Sequence, residues 1–518
     1  MTSLRDDLGE GAMEVRETHI SWVFLHERDV YKVKKPVDFG FLDFSTQEKR
    51  RRACEAEVAL NARLAPDVYH GVVPVIETPD GYRLGGDGAP VDWAVHMRRL
   101  RDEDRADVRL ARGALSIADV DRIAARIAEF HAVCRSDETT APFGGVDVVG
   151  RNVRENFAQT RETLDGLLTH EEAEEIERTQ LDFLASRAEL LARRMDQGRV
   201  RDGHGDLRLE HVYLEGEAIT VLDCIEFNER FRYGDVCADL AFLAMDLAWH
   251  GRVDLAERAL ATYARESNDF ELYAVVDFYE SYRAYVRGKI ATLLANDERA
   301  GGSARERAKA EARRYFLLSL AAERRSLLPP RMIAIGGLLA TGKSTLADAL
   351  GARIGAPAIN TDRVRKHMLG ARPTAKLYEG SWSGAYDPAF TAEVYERVYS
   401  AAKAVVASGR PVIVDASFRS RRMRADVRRA AEEAGVPFLF VECTAPHDVL
   451  RDRLRRRVLG ESVSDGRVEI FDDFVKSWEP VDELASEEHV VLDTTEDLED
   501  NLEQLRLHVP MWPEGLDT

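Results

Sequence analysis

The sequence predicts two domains of different class: an N-terminal α+β domain, and a C-terminal α/β domain built on a parallel sheet. Three observations predict this. A chain of 518 residues exceeds what one hydrophobic core serves. Period-two alternation is concentrated in the first hundred or so residues, and helical periodicity dominates from Ser116 onward. After Leu327-Leu328-Pro329-Pro330, where two prolines stop a helix, strands and helices alternate. The domains are therefore placed at 1–328 and 329–518, the first divided into a small lobe of about 1–100 and a helical large lobe of about 101–328.

Taken in order, 18–24 and 29–33 read as a strand pair turning near Glu27-Arg28. A helix follows from Thr46 to about Leu64, then strands at 74–76 and 93–97. Helices are predicted at 118–134, 154–166 and 171–194, short strands and loops at 201–227, and helices at 237–249, 253–265, 271–297 and 304–326. The second domain reads as strands at 332–335, 357–359, 412–414, 438–441 and 490–492. Helices at 343–354, 361–369, 388–408, 420–435, 446–458 and 466–477 separate them.

Composition narrows the function. Net charge is −20, which argues against a broad nucleic-acid face but leaves room for local basic pockets. No lysine occurs between Lys49 and Lys289, so Lys32 and Lys34, and Lys343 farther on, gain weight as candidates. The five cysteines are scattered without a C-x-x-C, as expected in a reducing cytosol. The N-terminal residues lack the apolar run of a signal peptide and no stretch reaches membrane-span length, so a cytoplasmic location is expected.

Gly337-Leu338-Leu339-Ala340-Thr341-Gly342-Lys343-Ser344 fits G-x-x-x-x-G-K-[ST] at every fixed position, after a strand and before a helix. Such a P-loop cradles phosphates with backbone N–H groups and a helix N-terminus. Gly337, Thr341, Gly342, Lys343, Ser344 and Thr345 are therefore the expected nucleotide contacts, with Lys343 on the β- and γ-phosphates and Ser344 on Mg²⁺. The strand Val412-Ile413-Val414 ends in Asp415, the expected second Mg²⁺-site residue, with Ser417 and Arg419 just beyond. Arg453 and Arg457 share one helix face.

Asn360-Thr361-Asp362-Arg363-Val364-Arg365 follows the next strand, and here the chain resembles the small-substrate P-loop kinases: gluconate kinase, zeta-toxin kinases, chloramphenicol phosphotransferase and polynucleotide 5′-kinases. The resemblance implies that Asp362 accepts the acceptor hydroxyl's proton, that Arg365 binds acceptor, and that Arg453 and Arg457 belong to an arginine lid over the phosphates.

A second signature, His204-Gly205-Asp206-Leu207 answered by Asp223, resembles the catalytic loop and metal-binding Asp of the protein-kinase-like fold in its aminoglycoside-phosphotransferase form. The resemblance implies Asp206 as the catalytic carboxylate, Asp223 as a Mg²⁺ ligand, and Asp239 as a structural residue. Five residues after Asp206 the related enzymes carry Asn; here His211 occupies the metal position. Lys32, with Lys34 as second choice, is expected on the ATP phosphates, paired with Glu57. No glycine-rich loop lies between the first two strands, and Asp38-Phe39-Gly40 stands too early to be the kinase metal motif. The helical stretch 279–289 is a further candidate for lining an acceptor.

Together the halves resemble bacterial fusions of an aminoglycoside-phosphotransferase-like domain with a P-loop kinase or ATPase domain. That implies an ATP- and Mg²⁺-dependent kinase with two nucleotide sites, acting on hydroxyl groups of small molecules. The alternatives are a single P-loop kinase with a regulatory N-terminal module, and a 5′-hydroxyl nucleic-acid kinase that the acidic balance disfavours. A motor-type ATPase is disfavoured because no second motor domain follows.

Overall fold

The computed structural model describes the chain apart from residues 1–3, 10–11, 41, 298–300, 321–327, 379, 458–461 and 513–518. Residues 1–250 with 278–320 form one compact unit, and residues 251–277 with 321–518 the other. The segment 251–277, which sequence reading assigns to the first domain, thus clusters with the second. The predicted boundary adjoins 321–327, which lies outside the described residues, as does the end of the predicted 304–326 helix.

After a short helix, Leu4–Gly9, the first unit carries β1 (Glu14–Glu17), β2 (Ser21–Leu25), β3 (Asp29–Lys34), β4 (Tyr69–Thr78), β5 (Gly81–Leu84) and β6 (Pro90–Arg98). They form an antiparallel sheet in the order β1-β2-β3-β6-β4-β5. β1 and β5 are four residues each, too short to show a period, and were not predicted. Phe24, Val33, Val75 and Ala94 are buried together on the sheet. A second apolar group joins Cys54 of helix Gln47–Asn61 to Val95 and Met97 of β6. Thr46 starts that helix by accepting from the Lys49 N–H.

The large lobe is helical. Helix Ile117–Val133 begins at a capping box of Ser116 and Asp119. The predicted 171–194 helix is two, His170–Ser186 and Ala188–Asp196, because Arg187 leaves helical geometry at φ −117°, ψ 19°. Helix Val236–Trp249 is buried from Val236 through Leu247 and forms the centre of the lobe. Short strands β7 (Val200–Asp202), β8 (Val212–Glu215), β9 (Ala218–Val221) and β10 (Tyr233–Asp235) pair as β7 with β10 and β8 with β9.

The second unit holds β11 (Met332–Gly336), β12 (Ala358–Asn360), β13 (Val412–Asp415), β14 (Phe438–Thr444) and β15 (His489–Asp493). They form a parallel sheet in the order β12-β13-β11-β14-β15, as the strand–helix rhythm predicts. Every residue of β11 is buried, consistent with a central strand covered on both faces. The strand ends Asn360, Asp415 and Gly336 lie side by side at one sheet edge, the edge where open α/β sheets bind ligands.

Helix Val253–Ser267 is an integral part of this unit. Its Glu257 meets the fully buried Arg410 guanidinium at 2.8 Å, and Asp277 meets the same group at 2.9 Å. Its Glu266 lies 3.0 Å from Arg363, beside Asp362. Arg410→Ala would strand buried Glu257 without its cation, so a loss of about 3–5 kcal/mol is expected. Chemical denaturation of the full chain would show it as a lower midpoint for the C-terminal unit; an unchanged midpoint would contradict it.

Candidate active sites

The C-terminal site is built by β11 and the loop it feeds into helix Lys343–Ile354. Gly337 sits at φ +143°, and a Cβ there would lie 2.4 Å from the Cys443 carbonyl. Gly342, at φ +83°, takes the left-handed turn into the helix. Lys343 folds back across the loop, donating to the carbonyls of Leu338 at 2.7 Å and Gly337 at 3.1 Å. Burial pushes its pKa down, with Asp415 opposing.

Parallel register sets Asp415 of β13 beside Ile335 of β11 and Asn360 of β12. Ser344 Oγ donates to Asp415 Oδ2 at 2.6 Å, and Asn360 Nδ2 donates to the same oxygen at 2.6 Å. Asn360 also caps helix Thr361–Met368. Asp362 stands in that helix's first turn, and burial raises its carboxyl pKa while Arg365 opposes the shift.

Tyr386 Oη donates to the buried Asp465 at 2.8 Å and lies 3.3 Å from Asp362 Oδ1. Arg365 is buried over the Tyr386 ring and donates to Ala385 O at 2.5 Å and Thr391 Oγ1 at 3.2 Å. Arg419 stacks 3.8 Å from the Trp382 ring centre. Trp382 itself stands at φ +64°, a left-handed conformation that bulky residues rarely adopt.

A cavity of about 140 Å³ is lined by Lys343, Ser344, Asp362, Arg365, Asp415 and Arg419, among others. A second, of about 310 Å³, is lined by Gly342, Thr345, Arg453, Arg457 and Thr494 among others. Gly342, Thr345 and Arg457 line both. Arg453 is held by Thr494, whose carbonyl accepts at 2.6 Å. Sequence reading missed Tyr386, Asp465 and Trp382, which stand in loops far along the chain from the motif. Asn360 was missed as well, although an Asn immediately before Thr361-Asp362 is itself an N-cap signal.

In the N-terminal unit β3 presents Lys32 and Lys34 two residues apart. Lys32 Nζ lies 2.7 Å from Asp223 Oδ1 and 3.0 Å from Glu57 Oε1. Burial opposes its charge, but Asp223 and Glu57 outweigh burial and raise its pKa. Lys34 is fully buried and bonded to Glu57 at 2.7 Å and to Glu226, with Phe44 beside it. Asp223 follows β9 at φ +65°, a left-handed conformation that Asp tolerates better than most residues.

The loop carrying Asp206 is clamped from below. Asp239 accepts from the N–H groups of His204 at 2.6 Å and Gly205 at 2.8 Å. His204 Nε2 lies 2.9 Å from the Leu222 carbonyl, tying the loop to the residue before Asp223. Asp206 accepts from Arg208 at 3.0 and 3.1 Å. Burial would raise its pKa, but Arg208 and His211 hold it well below the usual carboxylate range. His211 turns Nδ1 toward the Asp206 carbonyl at 2.8 Å, and its Nε2 lies 3.8 Å from Asp223. Asp206, His211, Asp223, Lys32 and Glu57 thus gather at one place; Lys34 lies beneath it.

Burial pushes the His204 pKa down to about 4. A histidine whose pKa is lower in the folded state contributes stability above its unfolded pKa of about 6.5, and that contribution is lost as pH falls toward 4. Wild type is expected to lose up to about 3 kcal/mol over that interval relative to His204→Gln. Parallel pH–stability curves for the two proteins would contradict this.

A kinase-like unit joined to a P-loop sheet is the make-up of a fused kinase-type phosphotransferase. A family model described as phosphotransferase enzyme family matches residues 26–279, and one described as an AAA domain matches residues 332–481. The chain is 34% identical over 453 residues to the uncharacterized protein Rv2004c of Mycobacterium tuberculosis H37Rv, covering 88% of each chain. It belongs to the family of that protein, a phosphotransferase-family region followed by a P-loop kinase domain, and is an ATP-dependent phosphotransferase.

Similar solved structures include a choline/ethanolamine kinase family protein from Mesorhizobium loti, 14% identical. It covers 61% of this chain and 97% of its own, with a TM-score of 0.36. A gluconokinase from Sinorhizobium meliloti 1021 is 21% identical, covering 34% of this chain and 89% of its own, with a TM-score of 0.24. Among the described residues no helix is long and apolar enough to cross a membrane.

Proposed function

We propose that the chain is a kinase with two working sites, each moving the γ-phosphoryl group of ATP to a hydroxyl of a small metabolite. The observation that supports this most is the C-terminal cluster. Ser344, Asp415 and Lys343 line one cavity with Asp362 and Arg365, so phosphate-binding and hydroxyl-orienting groups share a space.

There the loop N–H groups from Gly337 to Gly342 and Lys343 hold the β- and γ-phosphates, and Thr341 braces the loop by donating to Leu338 O at 2.9 Å. Thr345, Arg453 and Arg457 line the cavity suited to the rest of the nucleotide. Ser344 and Asp415 offer the hard oxygen donors that suit Mg²⁺, which supplies charge neutralisation on the phosphates. Asp362 accepts the acceptor's hydroxyl proton as that oxygen bonds to the γ-phosphorus and the bond to ADP breaks. Its raised pKa suits a base, and Tyr386 aims it. Arg365 and Arg419 favour an acceptor that also carries negative charge.

In the N-terminal unit Lys32 contacts the phosphates with Glu57 behind it, while Lys34 serves the buried pairing with Glu226. Asp206 orients the acceptor, and Asp223 with His211 hold the metal. The grip of Arg208 on both Asp206 oxygens favours a second reading, a regulatory N-terminal module whose carboxylate is not free to act. Calorimetric titration with Mg²⁺ and a non-hydrolysable ATP analogue separates the two. Two binding events in wild type and one in Lys343→Ala are expected; one in wild type and none in the variant would favour the module.

A further inference from the structure

Away from both sites, three side chains of the small lobe converge. Asp29 begins β3, His96 lies on β6 and His70 on β4, three strands adjacent in the sheet. Pairing steps from Tyr69 opposite Met97 to Gly71 opposite His96, so His70 is the extra residue of a bulge. Bulges re-aim side chains, and Gly71 at φ +143° accommodates this one. The His70 ring lies 4.9 Å from that of His96, which is stacked 4.7 Å from its cross-strand neighbour Tyr31 at an interplanar angle of 9°. His96 Nε2 lies 2.7 Å from Asp29 Oδ1. One donor atom from each of Asp29, His70 and His96 lies within 4.8 Å of the others.

Phosphoryl transfer uses none of these groups, and the hard ion it needs prefers oxygen. Two imidazoles and a carboxylate suit a borderline ion instead. Ligand atoms about a tetrahedral zinc lie roughly 3.3 Å apart for bonds near 2.0 Å. Binding would therefore open the Asp29–His96 contact slightly and draw in the exposed His70, leaving a coordination position for solvent. We propose that Asp29, His70 and His96 form a binding site for a transition-metal ion of the Zn²⁺ type, pinning three strands of the small lobe.

The test uses the full chain in millimolar Mg²⁺, titrated with Zn²⁺ against a chromogenic chelator, and with Co²⁺ to read ligand-field bands. One Zn²⁺ should bind to this site, at least 10-fold weaker in His70→Ala and in His96→Ala. The Co²⁺ bands should be lost in both. Zn²⁺ should raise the melting temperature of wild type more than that of His70→Ala. His70 is exposed, so its variant keeps the test interpretable if His96→Ala misfolds. Equal Zn²⁺ affinity and stoichiometry in wild type and His70→Ala would overturn the proposal, as would no binding in wild type.

Discussion

Replacing Lys343 by alanine is expected to lower kcat/KM of the C-terminal reaction about 1,000-fold, or about 4 kcal/mol of transition-state stabilisation. The side chain spans the loop on two of its carbonyls, which keeps its ammonium at the loop proposed to hold the phosphates. Burial pushes its pKa down, and an incoming polyphosphate would push it back up. The loss should fall on both kcat and nucleotide affinity, since in its proposed role the lysine meets phosphates before and during transfer. Asp362→Asn should differ: its loss should fall on kcat, because the role proposed for the carboxylate is on the acceptor proton, with Mg²⁺ and nucleotide binding left in place. Steady-state kinetics on both variants checks this. Equal wild-type and Lys343→Ala activity on every acceptor would contradict it.

Asp206→Asn is expected to lower kcat of the N-terminal reaction by about 100- to 10,000-fold with little change in nucleotide affinity. The amide keeps the size of the group and can still meet Arg208, so the loop held by Asp239 should stay in place. It cannot take a proton. Arg208→Gln provides the contrast. Releasing Asp206 from its partner should raise the carboxylate's pKa and move the acid limb of the pH–rate profile upward. A kcat for Asp206→Asn equal to wild type would place the chemistry elsewhere.

The P-loop and its sheet were legible because the evidence is local. Strand, glycine turn and helix follow one another directly from Met332 to Ile354, and hydrophobic strands of a buried parallel sheet read as apolar runs. The meeting of Ser344 with Asp415 follows from parallel register once both are placed at strand ends. What stayed hidden is non-local. Tyr386 reaches Asp362 from a short 3-10 turn, and Asp465 reaches Tyr386 from a loop, neither marked by any periodicity.

The choice between Lys32 and Lys34 was open for a related reason. Both point to one face of β3, and their depth beneath Glu57 and Glu226 is set by tertiary packing. Residues 251–277 read as one more helix of the first domain, and the phosphotransferase family match runs through them; helical periodicity says nothing about which core a helix packs on, and Glu257 and Asp277 pair with Arg410. The split at Arg187 was equally silent, since arginine carries no helix-breaking signal.

The central claim is that both sites transfer phosphoryl groups. ADP release from ATP and Mg²⁺, measured against sugars, sugar acids, nucleosides, aminoglycosides and an oligonucleotide, tests it most directly when wild type is compared with Asp206→Asn and Lys343→Ala. Each variant is expected to lose turnover with a different set of acceptors and to keep the other. Loss of every active acceptor in Lys343→Ala, with none lost in Asp206→Asn, would contradict it.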